Sequence, residues 1–200
     1  MQSEDKNIAK EPDVEYGFYS YRDYLTWNMD EMVELIKGKV FKKAAAAPNR
    51  LHQRLSIHLA SEFFQFLKGK TCEVYEAPFD VRFPTKSNKN EEIFTVVQPD
   101  ICVICDPKKL DAAGCLGAPD LIAEILSPGN NQKELKIKYE LYEEVGVLEY
   151  WIIYPTEQSL IIHSLVSGKY HPSRPYTIGD TVESKCIQGF QIDLTELFSE

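Results

Sequence analysis

Two carboxylates stand where apolar sequence would otherwise have none. Glu124 interrupts the run Leu121-Ile122-Ala123-Glu124-Ile125-Leu126, which is short and apolar enough for a buried strand. Asp100 follows Pro99, between the apolar pieces Phe94 to Val97 and Ile101 to Cys105. An ionised carboxylate in such a place is costly unless it is paired or bound to a metal. Two of them on neighbouring strands, facing one way, suit a hard divalent cation. Mg²⁺ takes one or two protein carboxylates and completes six ligands with water and phosphate oxygens. Such an ion activates a water and stabilises charge on a phosphate being cleaved. Taken singly, each acid fits an exposed strand end or a salt bridge better. The pair is what points to chemistry.

Other residues are weaker candidates. His52 falls at the start of a helical pattern, beside a basic segment. It fits a phosphate contact, a support for the acid pair, or a satisfied boundary histidine. Glu76 is a candidate extra acid, and Gln98 a hydrogen-bonding neighbour of Asp100. Cys102 and Cys105 lie three apart in a strand and therefore face opposite sides. No second pair follows at zinc spacing, so structural zinc is disfavoured. The five cysteines, an odd number, fit reduced thiols better than a disulfide framework. Ser127 has no His and Asp partners in a nucleophile elbow, and no glycine loop is dense enough to cradle phosphate.

The net charge of -9 opposes simple nucleic-acid binding. Its distribution softens that objection. No Asp or Glu occurs from Lys37 to Arg54, a stretch carrying Lys37, Lys39, Lys42, Lys43, Arg50 and Arg54. Lys133, Lys136 and Lys138 form a second basic cluster. Lys42, Lys43, Arg50, Arg54 and Lys136 are the candidate phosphate contacts, with solvated surface charge as the plainer account of each. No apolar run is long enough to span a bilayer and no signal-peptide core opens the chain, so a cytoplasmic protein is expected.

These residues need elements to position them. Two hundred residues with 44% hydrophobic content suit one globular domain. Met1 to Glu15 are polar and mostly acidic and read as a loose tail. Tyr21 to Leu35 reads as helix, ended by Lys37-Gly38, with a short strand at Val40-Phe41. Asn49 caps the clearest helix, where Leu51, Leu55, Leu59, Phe63 and Phe66 recur on one face. Strands are expected at Cys72 to Tyr75, Ala77 to Phe83, Phe94 to Val97, Ile101 to Cys105 and Leu121 to Leu126, with a loop from Asp106 to Pro119. A helix over Asn131 to Glu144 then leads into a strand over Val147 to Tyr154. A hairpin (Leu160 to Leu165, Lys169 to Tyr170) and a last helix at Leu194 to Phe198 follow. A helix between two central strands implies an α/β domain with a mixed sheet.

The motifs in their order resemble one family. Gln98-Pro99-Asp100, Ala118-Pro119-Asp120-Leu121-Ile122-Ala123-Glu124-Ile125-Leu126-Ser127-Pro128, Lys138, Tyr142 and Gly146-Val147-Leu148-Glu149-Tyr150-Trp151 are similar to the Uma-type restriction endonuclease family. Val33-Glu34-Leu35-Ile36-Lys37-Gly38, Pro48 with His52, and Ala77-Pro78-Phe79-Asp80-Val81-Arg82 fit it too. The resemblance implies the restriction-endonuclease-like α/β fold, a mixed sheet flanked by helices, over residues 18–200, with residues 1–17 as a flexible acidic tail. It implies membership of the PD-(D/E)XK nuclease superfamily, with Asp100 and Glu124 as metal ligands. One departure stands out. The superfamily places a lysine two residues after the glutamate, and here that position is Leu126. In this family the lysine moves to the next helix, where Lys138 matches. Glu134 replaces the usual aspartate four residues earlier, and the serine–threonine run after Ser127 is missing.

The activity implied is Mg²⁺- or Mn²⁺-dependent hydrolysis of DNA phosphodiester bonds without a covalent intermediate, with Asp100, Glu124 and Lys138 as the catalytic set. Cutting both strands needs two sites, which implies a homodimer. The competing reading is an inactive nucleic-acid or protein binding module on the same fold, favoured by the acidic charge and the displaced lysine.

Overall fold

The computed structural model describes residues 17–27, 32–42, 50–127 and 132–199. The acidic tail expected over residues 1–17, all but its last residue, therefore lies outside the described residues, as does the expected cap Asn49. In chain order the first elements are α1 (Tyr21–Tyr24), β1 (Val33–Ile36), β2 (Lys39–Lys42), α2 (Arg50–Leu67), β3 (Glu73–Glu76), β4 (Val81–Arg82), β5 (Val96–Val97) and β6 (Ile101–Ile104). Then come β7 (Leu110–Asp111), β8 (Gly114–Leu116), β9 (Leu121–Ile125), α3 (Gln132–Val145), β10 (Glu149–Tyr154) and β11 (Ser159–Val166). The chain closes with β12 (Lys169–Pro172), β13 (Tyr176–Thr177), β14 (Thr181–Glu183), β15 (Gln191–Asp193) and α4 (Leu194–Phe198). Contacts group these into two units, residues 1–45 with 83–97, and residues 46–82 with 98–200.

The first unit corrects the helix expected over Tyr21 to Leu35. Among the described residues there only α1 is helical, opened by a capping box in which the Ser20 and Asp23 side chains each accept from the other's backbone N–H. Val33-Glu34-Leu35-Ile36 is instead a strand, paired antiparallel with β2 from Val33↔Lys42 to Ile36↔Lys39. Lys37-Gly38 does not end a helix. It is a two-residue hairpin turn with positive φ at both residues, 49° and 77°, the geometry that matches strand twist. β5 adds to β1 at Leu35↔Val96, and Leu35, Ile93 and Val96 are fully buried.

The second unit is built on a mixed sheet ordered β12-β11-β10-β9-β6-β3, with β13 on β11. β9 and β10 run parallel and α3 makes the crossover between them, while the remaining pairs are antiparallel. One face of β9 sends Leu121, Ala123 and Ile125 into a core with Leu55, Leu59 and Phe63 of α2 and Leu194, Leu197 and Phe198 of α4. Phe63 stacks on Phe190 with ring centroids 4.0 Å apart. The alternate residues of the sheet meet α3, where Tyr142 packs edge-on to Tyr150 at 5.0 Å.

The stretch Ala77 to Phe83 is strand only at Val81–Arg82. There β4 pairs with β8, and Arg82 is ion-paired to Asp111. The expected loop from Asp106 to Pro119 contains the β7–β8 hairpin. Among the described residues no helix is long and apolar enough to cross a membrane.

The cysteines also depart from expectation. Cys72 and Cys105 form a disulfide, while Cys102, Cys115 and Cys186 are free thiols. The two bridged residues are 33 apart in sequence, so spacing gave no signal. The β3–β6 register, with Glu73 opposite Ile104, carries them to facing positions one step on. Cys102 and Cys105 face apart as expected, and burial pushes the Cys102 thiol well above its ordinary range. Thiol titration of the unfolded, unreduced chain is expected to return three free thiols and, after reduction, five. A count of five before reduction would refute the bridge. Cys72→Ser is expected to cost about 3 kcal/mol, read from the urea midpoint of the oxidised protein.

Candidate active site

The antiparallel β6–β9 ladder pairs Ile101 with Ala123, so its next step sets Asp100 opposite Glu124. Ala123 belongs to the α2-side core, and strand alternation turns Glu124 to the other face. Both acids are buried, Asp100 at 7% exposure and Glu124 at 6%. The sheet itself ties them together: Ile125 N, in the residue after Glu124, donates to Asp100 Oδ2 at 2.8 Å.

Each carboxylate has one oxygen that meets two groups. Asp100 Oδ2 also lies 3.2 Å from His52 Nε2 on α2. Glu124 Oε1 accepts from Lys138 Nζ at 2.7 Å and from Tyr142 Oη at 3.0 Å. Lys138 and Tyr142 are four residues apart, one turn of α3, so a single helix face delivers both donors. Lys138 is only 3% exposed. A lysine so buried needs a carboxylate partner, and Glu124 is that partner. Tyr150 stands beside this group. Burial, and after it the charge of Glu124, pushes its hydroxyl well above the ordinary tyrosine range, so it stays protonated.

The other candidates fall around this centre unevenly. His52 meets Asp100, the supporting position. Glu76 is opposite Ile101 on the neighbouring strand, and Ser56 Oγ, one turn after His52, donates to its Oε1 at 2.6 Å. Gln98 Nε2 donates to Asp80 Oδ1 at 2.8 Å. Of the basic candidates, Arg50 is exposed at the start of α2 and Arg54 is half-buried. Lys136 is 75% exposed and lies 3.7 Å from Glu140 one turn on. Lys42 ends β2, and Lys43 is outside the described residues.

Three residues that meet the candidates had no role assigned from the sequence, Tyr142 and Asp80 standing only within motifs and Ser56 unremarked. Tyr142 carries no charge to draw notice, although its i+4 spacing from Lys138 was the available signal. Ser56 and Asp80 became visible only through their partners. Another buried acid, Glu149, shows the structural alternative. It accepts from Trp151 Nε1 at 3.0 Å, Ser184 Oγ at 2.8 Å and the backbone N of Lys185 at 2.7 Å. Those are neutral donors that tie the segment after β14 to the sheet. Among the described residues only Glu124 is met by a buried ammonium.

Among the described residues no three His, Cys, Asp or Glu side chains gather as a metal cage. Two hard carboxylates opposite each other across the ladder fit instead an ion that keeps most of its water, the habit of Mg²⁺.

A mixed sheet with a parallel pair bridged by a helix, and a buried acid–lysine group at its centre, define a restriction-endonuclease-like α/β protein. The chain belongs to the Uma2 family, described as "Putative restriction endonuclease", which it matches over residues 21–195. It is similar to a crystal structure described as "a putative nuclease belonging to DUF820" from Anabaena variabilis. That likeness has a TM-score of 0.69 at 18% identity and covers 90% of this chain and 98% of the other. It is also 25% identical over 148 residues to the "Uncharacterized protein slr1290" of Synechocystis, covering 73% of each chain.

Removing one partner of a buried ion pair leaves the other charge uncompensated. Lys138→Met is expected to destabilise the fold by about 3 kcal/mol in urea unfolding, and Glu124→Leu added to it is expected to recover most of that loss. Equal stability of wild type and Lys138→Met would show that the pair is not buried as described.

Proposed function

We propose that this chain is a divalent-metal-dependent endonuclease that hydrolyses DNA phosphodiester bonds. One observation carries the reading: a buried lysine from the crossover helix reaches Glu124 at 2.7 Å, directly across the ladder from Asp100. Family membership and the likeness of fold support it.

Asp100 and Glu124 are the residues that would hold Mg²⁺ or Mn²⁺. Such an ion, when bound, supplies activation of a water and stabilisation of charge on the phosphate. The chain's own part is to aim the oxygens. The Ile125 N–H and His52 hold Asp100, and Lys138 and Tyr142 hold Glu124. Lys138 carries a compact charge on a flexible stem, suited to a phosphate oxygen or to the proton of an attacking water. It does from α3 what a lysine at position 126 would do from the strand. Arg50, Arg54, Lys136, Lys42 and Lys43 are the proposed contacts to the DNA backbone, and two copies would serve the two strands. The net charge of -9 favours a second reading, an inactive binding module on the same fold.

The test is supercoiled plasmid with Mg²⁺, Mn²⁺ or EDTA, beside the near-isosteric variants Asp100→Asn and Glu124→Gln. Wild type is expected to nick and linearise the plasmid only with metal, and both folded variants to lose this by roughly a hundredfold or more. Intact plasmid in every arm, with DNA bound equally well in EDTA, would replace the nuclease reading with the binding module.

A further inference from the structure

Glu124 Oε1 accepts from two donors, and they differ in kind. Lys138 ends in an ammonium on four flexible methylenes, a group able to turn from a carboxylate to a phosphate. Tyr142 ends in a hydroxyl on a rigid ring that is fully buried and wedged edge-on against Tyr150. Its backbone carbonyl is fixed as well, accepting from Gly146 N at 3.2 Å and Val147 N at 3.0 Å where α3 ends. With backbone and ring both held, the hydroxyl is fixed against Glu124 at 3.0 Å.

We infer that Tyr142 is a positioning residue that holds the Glu124 carboxylate in place when Lys138 leaves it for the substrate. This rests on the nuclease reading above. The nuclease reading asks two incompatible things of Lys138: to orient Glu124, and to act on phosphate or water. A hydroxyl bonded to the same oxygen separates them. Tyr142 keeps the metal-binding geometry and Lys138 is free for chemistry. A phenol O–H to a carboxylate is a charge-assisted bond and serves this purpose without adding charge beside the metal position. Tyr142 touches neither substrate nor reacting atoms and acts only through Glu124.

The two roles separate in Mn²⁺ affinity, measured by calorimetry on the whole chain without DNA. Tyr142→Phe, which keeps the ring and its packing, is expected to weaken Mn²⁺ binding about tenfold and to lower kcat on plasmid comparably, with KM for DNA unchanged. Lys138→Met is expected to abolish cleavage while Mn²⁺ binds within about threefold of wild type, because Tyr142 still holds Glu124. Wild-type Mn²⁺ affinity in Tyr142→Phe, or loss of Mn²⁺ binding in Lys138→Met, overturns the assignment. So does a Tyr142→Phe protein whose only change is a lower melting temperature. If Tyr142→Phe does not fold, the Lys138→Met titration decides alone. Failure of the nuclease reading shows separately, as a wild-type protein that neither binds Mn²⁺ nor cuts.

Discussion

Burying a charge is the constraint around which the second unit is arranged. Glu124 sits in the middle of β9, flanked by Ala123 and Ile125, which are committed to the core with α2. Its carboxylate must therefore be met on the opposite face. The parallel pairing of β9 with β10 requires a crossover, and α3 is that crossover. The helix that the topology demands is the one carrying Lys138 and Tyr142. Connection and charge compensation are thus the same element, and neither strand order nor helix position can change without exposing or stranding Glu124.

The contrast with Glu149 gives this weight. Both acids are buried on adjacent strands, and both are satisfied. Glu149 is met by an indole, a hydroxyl and a backbone N–H, and in return it fixes the segment after β14 against the sheet. Glu124 is met by an ammonium and a phenol from a helix. Neutral donors bind a carboxylate at little electrostatic risk. A buried ammonium offsets its desolvation only where geometry and further hydrogen bonds are good, and here it lies 2.7 Å from a carboxylate that also accepts from Tyr142.

The Asp100 side is built differently. Its Oδ2 is tied by the strand backbone at Ile125 N and by His52, the residue one turn before Ser56 on α2. Ser56 in turn holds Glu76. Two successive turns of α2 therefore settle the two acids at the ends of β3 and β6. At the far end of the same ladder the Cys72–Cys105 bridge closes the edge strand onto β6. The edge of the sheet is secured at both ends, near the acids by helix side chains and away from them covalently.

Much of this was legible in the residues. The apolar run broken once by Glu124, the helical period from Leu51 to Phe66, and the order of the motifs gave the mixed α/β class, the family and the acid pair. Lys138 was reached through the resemblance. The helix expected over Tyr21 to Leu35 failed because a short strand pair and a helix end use the same Lys37-Gly38 signal, and only pairing with Val40 and Phe41 decides between them. The disulfide, the Ser56–Glu76 bond and Tyr142's hold on Glu124 were invisible for a common reason. Each joins residues that strand register or helix placement brings together across the sheet. The sequence by itself determined which side chains can carry charge and which segments must be buried. Tertiary structure decided which charge meets which partner, because that depends on distances between elements, and local periodicity does not contain them.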